Sequence, residues 1–129
     1  MDVREVHRAF IIDRDAHVVL DQWTEAGLGE RKDVVPVSFP FVSLDLMIQR
    51  IMREKPSILV VGFHVGNLMS NGVDLIEHMV QRVANYPYII VNDANDANFD
   101  DVKVFIDAFA SRNSDKLGEA VREFISFHS

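Results

Sequence analysis

The sequence predicts an α/β domain in which a five-stranded parallel sheet of order 2-1-3-4-5 lies between two layers of helices. Three observations carry that expectation. Ile58–Val61 and Tyr88–Val91 are apolar throughout, so both faces of each strand are expected to be buried, as in the middle of a parallel sheet. Strand-like runs alternate with helical stripes through short connections, the pattern of repeated right-handed crossovers. Pro36 interrupts the β-rich run 34–39, and a residue that cannot donate to a ladder belongs on an edge strand, which favours the order with strand two outermost.

Taken in order, residues 6–13 end in Ala-Phe-Ile-Ile-Asp, a buried strand closing on a carboxylate. Asp15 is placed to cap a first helix whose Ala16, Val19, Leu20 and Trp23 share one face, and Gly27 and Gly29 stop it. After the edge strand, Ser43 is positioned as cap for Leu44, Met47, Ile48, Ile51 and Met52, a second stripe that Lys55-Pro56 ends. The central strand follows, then a polar loop. A third stripe, Leu75, Ile76, Met79, Val80 and Val83, is capped by Ser70 or Asn71 and ends near Asn85. Residues 98–107 read as a short helix and 108–112 as a short strand, or the two as one helix. Ser114 is the expected cap of a last helix with Leu117, Ala120, Val121, Phe124 and Ile125 in line, despite the cost of Gly118.

With 129 residues and no linker, repeat or low-complexity tract, residues 1–129 are expected to form a single domain. The absence of cysteine removes disulfides and thiolate metal sites. No run approaches the ~20 apolar residues of a membrane span, and the first residues do not resemble a signal peptide, so a cytoplasmic protein is expected. A net charge of -7 speaks against nonspecific nucleic-acid binding, which relies on Lys and Arg at phosphates. No membrane or nucleic-acid partner, no cofactor and no metal are expected; proteins or small ligands are.

In the order 2-1-3-4-5 the crevice at the carboxyl ends of strands one and three collects Asp13, Arg14, Asp15, Gly62, Phe63 and His64, with Asn92 and Asp93 arriving from strand four. Five βα units in this order make a flavodoxin-like (βα)5 three-layer sandwich. The chain resembles the receiver domain of two-component response regulators, of which CheY is the type, over nearly its whole length. Asp13-Arg14-Asp15 resembles the acidic residues that end the family's first strand, with the middle position changed to arginine. Gly62 stands where receivers carry the phosphoacceptor aspartate. Gly72 resembles the glycine that opens the family's third helix, after a loop about two residues longer. Asn92 stands at the Thr or Ser position, and Phe109, Arg112 and Asn113 fall at the aromatic switch, the lysine and the proline.

Receiver chemistry needs an aspartate nucleophile, a divalent cation held by carboxylates, and a lysine and a hydroxyl on the phosphoryl oxygens. Gly62 removes the nucleophile and a metal ligand together, and Arg14 puts a permanent cation where a metal carboxylate stood. The resemblance therefore implies a pseudo-receiver, a non-enzymatic signalling domain with a degenerate pocket of Asp13, Arg14, Asp15, Gly62, Asn92 and Arg112 and a switch-like Phe109. It implies a protein partner, with a homodimer through the last helix and strand as one form of that contact. A second reading makes Arg14, Gly62, Asn92 and Arg112 a sensor pocket for a small anion. A third gives Asp13, His64 or Asp93 acid–base work.

Plainer readings compete at each position. The Asp13, Arg14 and Asp15 group is equally a surface ion-pair cluster. His64 lacks a second ligand at metal spacing. Gly66 and Gly72 with Asn67 and Asn71 make either a phosphate nest or turns needing φ > 0. Asp93, Asp96, Asp100 and Asp101 lack EF-hand spacing and read as a solvated acidic edge. An aspartate substituted at Gly62 is expected to be accommodated, offset by Arg14 and Arg112. The alternative is that Gly62 serves a positive φ or a close backbone approach.

Overall fold

The computed structural model describes residues 6–66, 69–112 and 115–128. Strands β1 (His7–Ile12), β2 (Val34–Ser38), β3 (Ile58–Val61), β4 (Tyr88–Val91) and β5 (Ala108–Phe109) form one sheet of order β2-β1-β3-β4-β5, with every pairing parallel. Pro36 sits on β2, at the edge where its missing N–H is not needed. Helices α1 (Ala16–Glu25), α2 (Leu44–Glu54), α3 (Gly72–Arg82) and α4 (Lys116–His128) complete the flavodoxin-like sandwich.

Successive side chains on a strand point to opposite faces, so β1 feeds two cores. Phe10 and Ile12 join Ile48, Ile51, Leu59, Leu75, Ile76 and Phe99 under α2 and α3. Ala9 and Ile11 join Val19, Trp23, Val60, Val121 and Phe124 under α1 and α4. Burying each large aliphatic or aromatic side chain contributes about 1.5–3 kcal/mol, so these two layers dominate the stability of the fold.

The helix ends are set locally. Ser43 Oγ accepts the Leu46 N–H, as its position before the stripe requires. Of the two caps open for α3, Asn71 serves: its side chain accepts the Asp74 N–H while Asp74 accepts the Asn71 N–H, closing a capping box. Lys55 closes α2 in the left-handed conformation at φ 50°, and Gly27 turns the chain after α1 at φ 78°. Val83 is the C-cap of α3, and Asn85 adopts φ 55° two residues on.

Four expectations need correction. Asp15 occupies the N-cap position of α1, but its side chain makes no capping hydrogen bond; its carboxylate faces arginines instead. Residues 96–105 wind as a 3₁₀ helix, Asp96–Phe105, in place of the short helix 98–107, consistent with the poor α-forming Asp and Asn at 95, 96, 98, 100 and 101. β5 holds two residues rather than 108–112: Ala110 still donates to the Val91 carbonyl at 2.7 Å, after which the chain leaves the sheet. Met52 lies outside the buried stripe of α2, 46 % exposed. The expected cap Ser114, and Asn67 and Asn113, lie outside the described residues.

Candidate functional site

Register brings the site residues abreast. Ile12 pairs with Val61 and Val61 with Val91, so Asp13, Gly62 and Asn92 follow side by side at the carboxyl ends of three adjacent strands. The Gly62 N–H donates to the Ile12 carbonyl at 3.1 Å and the Asn92 N–H to the Val61 carbonyl at 2.9 Å, which fixes this alignment. Arg112 arrives three residues after Phe109, the partner of Val91.

The space over Gly62 is filled by a side chain from the next strand. Asp13 Oδ2 accepts from Arg112 Nη2 at 2.5 Å, Asp13 Oδ1 accepts the Asp15 N–H at 2.8 Å, and the Asp13 side chain is 2 % exposed. A Cβ placed on Gly62 would overlap Asp13 Oδ2 and stand 2.8 Å from Asp13 Cγ and 3.3 Å from Arg112 Nη2. Gly62 has no left-handed φ, unlike Gly27 and Gly66, and the obstruction is a side chain, not a backbone. Neither sequence-based reading of Gly62 is thus met: the position is closed to a side chain because Asp13 occupies it. An aspartate there would fit only if Asp13 moved aside.

Arg112 binds more than Asp13. Its Nη2 also reaches the Asn92 carbonyl at 3.4 Å and its Nη1 lies 3.7 Å from Asp15 Oδ2. Arg14 lies at the rim, 58 % exposed, with its guanidinium 3.7 Å from the same Asp15 oxygen and its N–H donating to the His64 carbonyl. Two guanidinium groups therefore face two carboxylates, and the cluster balances its own charge. Beside it a crevice of about 370 Å³ runs between Asp13, Arg14, Phe39, Phe41 and Val65.

Burial raises the Asp13 carboxyl above its ordinary 3.8, against the lowering effects of the Asp15 N–H and Arg112, with Asp15 and Asp93 adding repulsion. A carboxyl whose folded pKa is raised binds its proton more tightly folded than unfolded. Its contribution is therefore fully present below the unfolded value and is lost as pH rises through the folded one. Thermal melts from pH 4 to 7 are expected to show the wild type losing stability relative to Asp13→Asn as pH rises. Parallel curves would refute this.

Asn92 is fully buried; its Nδ2 donates to Gln22 Oε1 at 3.1 Å, and its Oδ1 has no hydrogen-bond partner among the described residues. Gln22 in turn donates to the Ser111 carbonyl at 3.3 Å, tying α1 to the segment that carries Arg112. Sequence reasoning missed Gln22. Its signal was a polar residue three positions after Val19, on the flank of the buried stripe. The other expected residues stand apart. Asp93 turns into its own loop, accepting from the Asn95 N–H and Asn98 Nδ2 at 3.3 Å each. His64 is exposed, edge-on to Phe63 at 5.2 Å. Phe109 is half-buried and packs against the core layer that lies under α2 and α3. Gly72 donates its N–H to the Phe63 carbonyl and Asn71 caps α3, so both polar groups of that turn are already engaged.

Neither a protein-family model nor a curated protein sequence matches the chain. Solved structures do. The receiver domain of the Francisella response regulator 1452 superposes with a TM-score of 0.70 at 13 % identity, over 95 % of this chain and 99 % of that one. A response regulator receiver domain from Clostridium thermocellum gives 0.68 at 9 % identity, over 95 % and 97 %. The BeF3-activated N-terminal receiver domain of Klebsiella pneumoniae RstA gives 0.66 at 15 % identity, over 92 % and 97 %. With the strand order and the crevice at the carboxyl ends of β1 and β3, these likenesses establish that this chain has the fold of a response-regulator receiver domain.

Proposed function

We propose that this domain is a receiver-like signalling module that works without aspartyl phosphorylation, by binding another protein. The observation that carries this reading is the Asp13–Arg112 pair seated over Gly62. It puts a paired carboxylate where receivers present a free nucleophile, and both Asp13 oxygens already have donors. The switch position of Phe109 and the pocket of Asp13, Arg14, Asp15, Gly62, Asn92 and Arg112 belong to this proposal. So do a non-enzymatic role and a cytoplasmic location; no described helix is long and apolar enough to cross a membrane. A surface for self-association on the last helix is not favoured by packing, since its Val121 and Phe124 are buried and Phe127 is its one widely exposed large apolar residue among the described residues. The anion-sensor reading ranks second, because an anion would have to displace Asp13 from Arg112.

Incubation with acetyl phosphate and Mg²⁺ is expected to leave the intact mass unchanged, and a stoichiometric phosphoryl adduct would refute the proposal. Mg²⁺ at millimolar concentration is expected not to raise the melting temperature, since it would compete with Arg112 for Asp13. A saturable rise would show that the carboxylates open to the cation.

A further inference from the structure

A second crevice, of about 660 Å³, opens at the opposite end of the sheet. His7 and Tyr88 begin β1 and β4, and Ser57 and Asp107 immediately precede β3 and β5, so four strand starts line it. The end of α4 closes one side with Phe124 and His128, and Tyr86 stands at the rim. The wall is built before any ligand arrives. Phe124 is 4 % exposed and is held by His7 edge-on at 5.1 Å, Tyr88 at 5.3 Å and His128 stacked at 4.2 Å.

Most of its polar groups are already engaged. A carbonyl only accepts, so His128 Nδ1 donates to the Phe124 carbonyl at 2.9 Å. Asp107 Oδ2 accepts the Ile89 N–H, and its carboxylate stays at the exposed edge. His7 Nδ1 and Ser57 Oγ satisfy one another at 2.9 Å. Burial raises the Tyr88 phenol, with the charges of Glu123 and Asp107 adding to it, and of these two carboxylates Asp107 lines the crevice. Among the described lining residues there is no Lys or Arg.

We propose that this crevice binds an organic cation, a primary or quaternary ammonium carrying an apolar body. The faces of Tyr86 and Tyr88, lining rings that are not fully buried, attract such a cation, Asp107 supplies opposite charge, and the volume suits a small molecule. The crevice at the other end holds two arginines against two carboxylates and lacks that excess of negative charge.

The test is an amide NMR titration of the whole chain with phenethylammonium, and in parallel with phenylpropionate as an anion of similar size. Saturable shifts are expected at Ser57, Tyr88, Asp107 and His128 with the cation only. Tyr86→Ala and Asp107→Asn alter exposed side chains, and the amide oxygen of the second can still accept the Ile89 N–H; each is expected to weaken binding about threefold or more while the melting temperature stays within about 2 °C. No saturable shift below about 20 mM, equal response to the anion, or unchanged affinity in both variants would overturn the proposal.

Discussion

Gly62→Ala is expected to destabilise the protein by about 2–4 kcal/mol, lowering the melting temperature by roughly 10 °C. The added methyl group would overlap Asp13 Oδ2, and since that side chain is 2 % exposed and bonded to Arg112, it cannot swing away without breaking a buried ion pair. Backbone strain plays no part, because Gly62 lacks a left-handed φ. The cause is therefore separable by a double-mutant cycle. In an Asp13→Ala background the overlap is gone, and Gly62→Ala should cost little beyond what Asp13→Ala already costs. Gly62→Asp should be worse than Gly62→Ala at neutral pH, with a second carboxylate against one guanidinium, and should improve in acid. In an Asp13→Gly background the same aspartate should be tolerated, since it returns a carboxylate to the volume beside Arg112. Equal destabilisation by Gly62→Ala with and without Asp13 would defeat this account of the site.

Gly72→Ala is expected to cost about 3 kcal/mol or more. By helix propensity alone the change should help, because alanine exceeds glycine by up to about 1 kcal/mol in a helix. Packing reverses the sign. A Cβ on Gly72 would overlap the Gly62 carbonyl oxygen and stand 3.1 Å from Gly62 C and from Val61 Cγ2. The first two are backbone just past the end of the central strand, and the preceding peptide is held on both sides, by the Gly62 N–H to the Ile12 carbonyl and by the Asn92 N–H to the Val61 carbonyl, so they cannot retreat as freely as a side-chain tip would. The Gly72 N–H bond to the Phe63 carbonyl at 2.9 Å keeps the start of α3 at this distance. A melt of Gly72→Ala at or above the wild-type temperature would show that the loop relaxes and that the glycine is dispensable.

How much of this was legible beforehand follows from the range of the interactions. Strand order, the edge position of Pro36, the stripes of the helices and the Ser43 cap depend on neighbours within a few residues, or on whether one face or two is apolar, and the sequence by itself determined them. It also determined that Asp13, Gly62, Asn92 and Arg112 would gather at one end of the sheet, since strand order and strand ends suffice for that. What it did not determine was what those residues do to one another. Asp13 and Arg112 stand 99 positions apart, and whether the carboxylate reaches across to cover Gly62 depends on ångström-level register that no local pattern encodes. The same holds for Asp15, whose position is that of a cap but whose carboxylate is drawn to Arg14 and Arg112. Gly72 shows it as well: a helix start reads as a cap and a stripe, while its need to be glycine comes from a carbonyl on another strand end. Pairing of charges and exclusion of volume are contacts between distant segments, and only the tertiary structure decided them.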